Sequence, residues 1–329
     1  EKGKGQRQLV RFGYHPLPAQ TIVDGNIMST GEVVEGLNRL FHDLKIKDRE
    51  IALSVSGHSV IIKKITMPLM TPAELREQIP WEAEQHIPFD IKDVQVDYEV
   101  VRRRQDQGQM DVLLVAAKKE EIHDLTSLAV DAKLRVRVVD IDAFALQNCF
   151  ELNYGLPQGK VVALLNVGAS LTTLNVISDG TSGFTRDITN GGNAITEEIQ
   201  KQLGISHDEA EAYKVGGEGT GIVPAEVARV IQGAVESLAG EIQRSLDFYL
   251  ATSGDRAIDH IFVAGGTANI HALLEAIGSR ARVPVEALDP LRQIPPDTKQ
   301  VNPNALRGRI AQSVVALGLA LRKDREKAS

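Results

Sequence analysis

One stretch of the sequence, residues 161–177, constrains the fold more than any other. It begins with the uninterrupted apolar run Val161-Val-Ala-Leu-Leu, typical of a strand buried on both faces. Small residues at Asn166-Val-Gly-Ala-Ser170 then allow a sharp turn, and a second strand follows to Ile177. The pattern predicts a β-hairpin whose tip presents backbone N–H groups and hydroxyls. Such a tip can hold a phosphate, but on this stretch alone an ordinary hairpin is the favoured interpretation.

Composition indicates a globular protein with room for two domains. The chain has 329 residues, of which 43% are hydrophobic and 25% charged. Its net charge of −7 argues against a broad basic surface for nucleic acid. The single cysteine, Cys149, lies in an apolar helical pattern and suits a reducing cytoplasm. No apolar run approaches the ~20 residues that span a bilayer, so we expect a cytoplasmic protein.

Two strand-to-glycine transitions stand out, Leu165-Asn-Val-Gly168 and Val263-Ala-Gly-Gly266. In the second, a buried strand passes through Gly-Gly-Thr into a helix. Glycine lets the backbone approach a ligand closely, and a helix N-terminus carries partial positive charge. Each transition alone is also explained by a tight turn, because short glycine motifs are common.

The order of the segments is more informative than any one of them. A helix beginning Asp142-Ala-Phe-Ala-Leu precedes the hairpin, and a meander ending Gly191-Gly-Asn193, several helices and Gly265-Gly-Thr267 follow it. This order resembles the second half of the actin-like ATPase superfamily. The resemblance implies an α/β fold of two duplicated, ribonuclease H-like lobes with ATP and Mg²⁺ between them. The nucleotide-binding residues that it implies are Asn166, Gly168, Ala169, Ser170, Gly191, Gly192, Asn193, Gly265, Gly266 and Thr267.

A Glu-x-x-Arg pair, Glu241 and Arg244, matches the Glu-x-x-Lys/Arg motif that contacts the nucleoside in chaperone-type members of this superfamily. The two residues are one helical turn apart and therefore share a helix face. Without the resemblance, an exposed ion pair is the better interpretation. With it, we add both residues to the predicted nucleotide site.

A closer resemblance rests on the first third of the chain. Val60-Ile-Ile-Lys-Lys-Ile-Thr-Met-Pro68 and Trp81-Glu-Ala-Glu-Gln-His-Ile-Pro-Phe89 are similar to the PilM family of type IV pilus assembly, and the likeness covers essentially the whole chain. It implies a scaffold on the cytoplasmic side of the inner membrane that grips the N-terminal cytoplasmic peptide of PilN. It also implies contacts with the extension and retraction motor ATPases and the platform protein, a role in twitching motility, and room for a homo-oligomer.

The partner peptide is expected in a groove between an inserted subdomain and the first-lobe core. The candidate contact residues are Trp81, Ile87, Pro88 and Phe89. Packing in the core is the alternative for Trp81. An exposed edge strand, either residues 94–101 or residues 60–67, would add backbone hydrogen bonds to an extended peptide.

The resemblance also divides the chain into segments. We expect the first lobe at 1–65, continued at 135–157 with a connecting helix, and an inserted α+β subdomain at 66–134. The second lobe is expected at 158–202 and 256–303, its helical subdomain at 203–255, and one C-terminal helix in 304–329 that returns to the first lobe. Asn304 is expected to cap that helix, whose apolar face carries Leu306, Ile310, Val314, Leu317 and Leu321.

The sequence departs from the superfamily pattern at two points. Asn166 replaces the usual acidic residue of the second phosphate loop, and no Asp-x-Gly hairpin occurs before residue 60. We expect that hairpin upstream of Glu1. Because Mg²⁺ prefers carboxylate and water ligands, Asp142 is the candidate to hold it through water, and weak ATPase activity at most is expected.

Two other functions stay open. One is an active phosphotransferase or chaperone-type ATPase, which substrate-stimulated turnover would reveal. The other is a filament protein similar to FtsA. The polar end of the chain, Arg322-Lys-Asp-Arg-Glu-Lys-Ala-Ser329, has no apolar face for membrane insertion, which argues against the second.

Overall fold

The structure is a computed structural model and describes residues 7–18, 20–23, 25–216, 224–255 and 257–322. The predicted polar tail after Arg322 therefore lies outside the described residues. The strands are β1 Ile22–Val23, β2 Asn26–Ile27, β3 Glu50–Val55, β4 Val60–Pro68, β5 Val94–Arg104, β6 Gln109–Lys118, β7 Arg135–Ile141, β8 Val161–Val167, β9 Thr172–Ser178, β10 Thr181–Ile188, β11 His260–Ala264 and β12 Val285–Ala287. The α-helices are α1 Thr30–Asp43, α2 Pro72–His86, α3 Lys119–Asp131, α4 Asp142–Tyr154, α5 Gly192–Leu203, α6 His207–Lys214, α7 Ala225–Ser253, α8 His271–Ala281, α9 Pro303–Leu306 and α10 Val314–Ala320.

The second lobe is built on a five-stranded sheet in the order β10-β9-β8-β11-β12. The predicted hairpin is confirmed: β8 and β9 pair antiparallel, and β11 runs parallel to β8. Successive side chains of β8 face opposite sides of the sheet. Ala163 and Leu165 pack in a core shared with α5, α7 and α8, whereas Val162 and Leu164 pack with α4 and α10. Burial on both faces explains the continuous apolar run.

The first lobe has two parallel strands, β3 and β7. Helix α3 packs between these two strands and α1. Ala129, Ala132 and Leu134, at the end of α3 and just after it, form a small core with apolar residues of α1, β3 and β7. Helix α4 follows β7 directly and contacts both β3 and the second-lobe strand β9. It therefore joins the two lobes.

A three-stranded antiparallel subdomain, residues 60–118, is inserted between β3 and α3. Its strand order is β4-β6-β5, so both strands that the sequence proposed as edges lie at an edge. Helix α2 starts with a capping box between Thr71 and Glu74 and covers one face of this sheet. The sheet thus begins before residue 66, and α3 packs on the first lobe. The domain boundaries stay a prediction, and we propose residues 60–118 as the body of the insertion.

The single C-terminal helix predicted from Asn304 to Leu321 is wrong. Asn302 caps the short helix α9, and its side chain accepts the N–H of Asn304. Gly308 then adopts a left-handed conformation with φ +73°, which no α-helix continues, and the chain resumes as a 3₁₀ turn and α10. Helix α10 packs closely on α4, with Gly318 against the backbone of Ala145, and also contacts β3.

None of the helices in the described ranges is long and apolar enough to cross a membrane.

Candidate functional site

Three glycine-bearing loops converge on the carbonyl of Gly168 at the tip of the β8–β9 hairpin. The N–H of Gly192 donates to this carbonyl at 2.9 Å, and the hydroxyl of Thr267 donates to it at 3.0 Å. The N–H of Asn193 reaches the next carbonyl, of Ala169, at 2.8 Å. The structure thus brings together three segments that the sequence placed in one site. We call this region the glycine cleft, defined by Gly168, Gly191, Gly192, Gly265 and Gly266.

The loops are packed too closely for side chains at two positions. A Cβ at Gly191 would lie 2.6 Å from the carbonyl oxygens of both Gly168 and Ala169. A Cβ at Gly265 would overlap the backbone of Val167, and Gly265 also has φ +91°, a conformation that favours glycine. In the cleft, backbone is therefore in direct contact with backbone.

Polar groups surround the opening of the glycine cleft. Asn193 donates from its side-chain amide to the hydroxyl of Ser170 at 3.1 Å. Asn166 lies at the end of β8, paired with Ala264 immediately before Gly265. Ala169 and Asn193 are exposed, and Asn166, Ser170 and Gly266 are half-buried. These amide and hydroxyl groups can donate and accept hydrogen bonds.

The predicted pair Glu241 and Arg244 does not form an ion pair. Glu241 accepts a hydrogen bond from the Asn190 amide at 3.0 Å, next to the Gly191 loop. Arg244 forms no ion pair with any residue that the structure describes, and its guanidinium lies beside Gly240 and Arg280. Glu241 therefore borders the cleft, whereas Arg244 lies on an exposed part of α7.

A second pair with the same spacing, Glu211 and Lys214 on α6, lies at the cleft and was missed from the sequence. The Lys214 side chain is 9% exposed, and its ammonium lies 2.5 Å from Glu211 and 3.2 Å from the carbonyl of Gly192. It also donates to Thr196 at 2.8 Å, and the Thr196 hydroxyl donates to Glu211 at 2.8 Å. The Glu-x-x-Lys spacing did not single out this pair, because it also occurs at 198–201 and, with arginine, at 226–229 and 241–244.

The carboxylate of Asp142, the candidate magnesium ligand, is hydrogen-bonded to hydroxyl groups. It accepts hydrogen bonds from Ser54 and Ser56 at the end of β3. Burial raises the pKa of Asp142, and the neighbouring Asp187 and Asp140 act in the same direction. Across the described ranges no cluster of three or more His, Cys, Asp or Glu side chains could hold a metal ion. The metal role of Asp142 stays a prediction.

A concave region lies between the three-stranded subdomain and the first lobe. It is a groove of about 580 Å³, here called the sheet groove. Alternate residues of β6 form one wall, namely Leu113, Val115 and Ala117, while the intervening residues face α2. The opposite wall comes from β7 and α4, and the turn at 180–182 of the second lobe closes one side.

The four predicted partner contacts do not line this groove. They lie on or after α2, on the other face of the subdomain's sheet. Ile87 is buried in the core beneath α2, and Phe89 packs against that core under the Lys118 ammonium, 4.9 Å from its ring centre. Trp81 is 65% exposed, so the alternative of a core tryptophan is wrong. Pro88 is exposed as well.

Comparison with known families decides the identity of the chain. The model of the family described as "Type IV pilus assembly protein PilM" matches residues 1–324. The chain belongs to the PilM family.

Solved structures agree with this assignment at the level of the fold. A PilM-PilN type IV pilus biogenesis complex is 24% identical, with 94% of this chain and 89% of that chain covered and a TM-score of 0.81. MreB5 of Spiroplasma citri bound to ADP is 15% identical, with 90% and 76% covered and a TM-score of 0.52. The predicted actin-like fold with an insertion in the first lobe is thereby confirmed for this PilM-family chain.

Proposed function

We propose that this PilM-family protein is a nucleotide-dependent scaffold of the type IV pilus platform that holds the N-terminal cytoplasmic tail of PilN in the sheet groove. The observation that carries the proposal is the groove itself. It has an apolar wall, an edge strand at its margin and parts of three structural units around it. A solved complex that shares the fold contains PilM and PilN.

The shape of the sheet groove suits an extended peptide. Strand β5 is an edge strand, so half of its backbone N–H and C=O groups have no partner in the sheet. A peptide that pairs with β5 gains main-chain hydrogen bonds, and its alternate side chains reach the apolar wall at Val115 and Phe144. This edge is a better candidate than β4, because the groove is lined by β5 and β6.

The glycine cleft is proposed as the ATP site. Its amide and hydroxyl groups, on Asn193 and Ser170, can donate hydrogen bonds to phosphate oxygens. We propose Glu211 and Lys214 as the nucleoside contact, since the Lys214 ammonium lies against the Gly192 loop. Glu241, beside Asn190, remains a competing candidate. When bound, ATP would supply the energy to hold the lobes together. Mg²⁺ would be held mainly by the phosphates and water, as is usual for this ion.

The remaining parts of the proposal concern the assembly. The protein would lie in the cytoplasm and associate with the inner membrane through its partner's tail. It would contact a motor ATPase and the platform protein and could form a homo-oligomer. The family's role in pilus assembly supports this part of the proposal.

Calorimetry with a synthetic PilN tail tests the groove. The full chain should bind the tail, and Val115→Glu should weaken binding by about tenfold or more, because it places a charge on the apolar wall. Val130→Glu is the matched control: Val130 is 67% exposed and lies on α3, so tail affinity should not change. Unchanged affinity in both variants would contradict the groove proposal. Titration with ATP, with and without the tail, tests the cleft in the same instrument.

A further inference from the structure

A buried carboxylate lines the sheet groove, and one of its two oxygens accepts no hydrogen bond from the described residues. Asp140, near the end of β7, has a side chain that is 4% exposed. Its Oδ1 accepts the N–H of Ile141, but no described residue donates a hydrogen bond to Oδ2. The Nε of Arg322 lies 3.0 Å from Oδ2, yet its N–H is not directed at that oxygen. The ion pair is thus close but badly aligned.

The groove around this carboxylate is acidic. Asp97 and Glu99 occupy alternate positions of β5, on the side away from α2, and both line the groove. With Asp140 they make three acidic groups, against one basic group, Arg322, among the described lining residues. Asn148 also lines the groove, and its side-chain amide nitrogen is buried with no acceptor in the described part of the chain. A cation would therefore satisfy the Asp140 oxygen, and a carbonyl oxygen would accept the hydrogen bond that the Asn148 amide can donate.

Arg322 is loosely held in comparison with the carboxylate that it covers. Its side chain is 37% exposed, and it follows the last turn of α10 rather than lying within the helix. A buried ionised carboxylate without a partner is costly, so Asp140 requires a nearby cation. A better aligned guanidinium from a ligand would satisfy the same requirement.

We propose that the sheet groove selects a tail that carries an arginine or lysine, and that this side chain replaces Arg322 at Asp140. Arg322 is then an intramolecular placeholder that competes with the tail. The Asn148 amide binds a main-chain carbonyl of the same peptide segment. This inference rests on the proposed function, because it identifies the chemistry of the tail that the groove holds.

Two substitutions separate competition from a merely structural ion pair. Asp140→Asn removes the carboxylate and should weaken binding of the PilN tail by about tenfold, the usual scale for a charge-assisted hydrogen bond. Arg322→Gln removes the competitor and should tighten binding by about threefold, because a larger fraction of the protein is then free to bind. Both affinities are measured by calorimetry on the full chain, with thermal melting as a check of folding.

A peptide series gives an independent measurement on the wild-type protein. Each arginine and lysine of the tail is replaced by glutamine in turn, and one of these replacements should weaken binding to wild type but not to Asp140→Asn. The wild-type part of this series does not depend on how well the Asp140 variant folds.

The outcomes are distinguishable. The placeholder model is supported if Asp140→Asn weakens binding of the tail, Arg322→Gln tightens it, and one peptide replacement weakens binding to wild type. If both variants weaken binding, or no peptide position matters, the model is overturned, while the groove stands as long as Val115→Glu still weakens binding. If the unmodified tail does not bind wild-type protein, the proposed function fails and the inference fails with it.

Discussion

The glycine cleft and the sheet groove are built from different materials. The cleft consists of backbone against backbone, with Gly191 and Gly265 in positions where a Cβ cannot fit. The groove consists of one side-chain face of a three-stranded sheet placed against β7 and α4. Backbone sites need particular residues at particular positions, whereas a side-chain face needs only apolar residues at alternate positions. A backbone site therefore leaves a signature in the sequence, while a side-chain face shares its pattern with ordinary strands.

The largest predicted effect tests the backbone character of the cleft. Gly265→Ala should lower the free energy of unfolding by about 4 kcal/mol, because it adds overlap with Val167 to the strain of a left-handed conformation. Urea titration measures the loss. Gly254→Ala is the matched control, since Gly254 has φ +81° but no atom within 4 Å of a Cβ, and it should cost only about 1 kcal/mol. Equal losses would contradict the close packing of the cleft.

The next prediction tests whether the two sites are separate. Asn175 is fully buried on β9; its amide donates to Gln147 and to the carbonyl of Ala143 on α4, and its oxygen accepts from Ser182. Gln147 and Ser182 line the sheet groove, and β9 starts at the cleft. Asn175→Ala should cost about 2 kcal/mol, because buried partners lose their hydrogen bonds.

Ser182→Ala, which removes one of these bonds, is the control for Asn175→Ala and should cost about 1 kcal/mol. Thermal or urea unfolding compares the two. If Asn175→Ala weakens binding of the PilN tail and leaves the affinity for ATP unchanged, the two sites are independent. A change in both affinities would mean that β9 couples them.

A smaller effect sharpens the assignment within the cleft. Lys214→Ala should weaken ATP binding by about tenfold, equivalent to about 1.4 kcal/mol, because the Lys214 ammonium lies against the Gly192 loop. Arg244→Ala should change the affinity less than about twofold, as expected for an exposed charge. Calorimetry with ATP measures both. If Arg244→Ala weakens ATP binding more than Lys214→Ala does, Glu241 and Arg244 are the better candidates for the nucleoside contact.

The smallest predicted effect concerns pH. Because the pKa of Asp142 is raised above 3.8 in the folded protein, its contribution to stability is full below that value and declines as pH rises through the folded pKa. Asp142→Asn removes this titration and keeps an oxygen for Ser54. The variant should therefore gain stability relative to wild type as pH rises above 3.8. Melting temperatures across this range measure the difference, and a wild type that is the more stable at pH 8 would indicate that the charge itself is needed.

Some features of the molecule were predictable from the sequence, and others depend on tertiary contacts that the sequence does not reveal. The convergence on Gly168 was predictable, because hairpin, loop and strand–helix turn each require small residues. The pair Glu211 and Lys214 could not be chosen from the sequence, because the Glu-x-x-Lys/Arg spacing recurs along the chain. Only the packing of α6 on α5 places this pair beside the Gly192 loop. The C-terminal helix was overextended because apolar spacing continues through Gly308, whose left-handed turn depends on its surroundings. The groove between the subdomain and the first lobe was expected from the resemblance, but its lining residues were not, since they come from strands distant in sequence.

One backbone hydrogen bond closes the base of the three-stranded subdomain. The N–H of Lys118 donates to the carbonyl of Ser59 at 3.1 Å, where the chain leaves and rejoins the first lobe. Residues 60–118 are therefore a cassette with adjoining ends. A short linker across this point would yield a shortened protein that keeps the glycine cleft and lacks one wall of the groove. The excised cassette, with its ends tied together, could be transplanted onto another scaffold as a separate module.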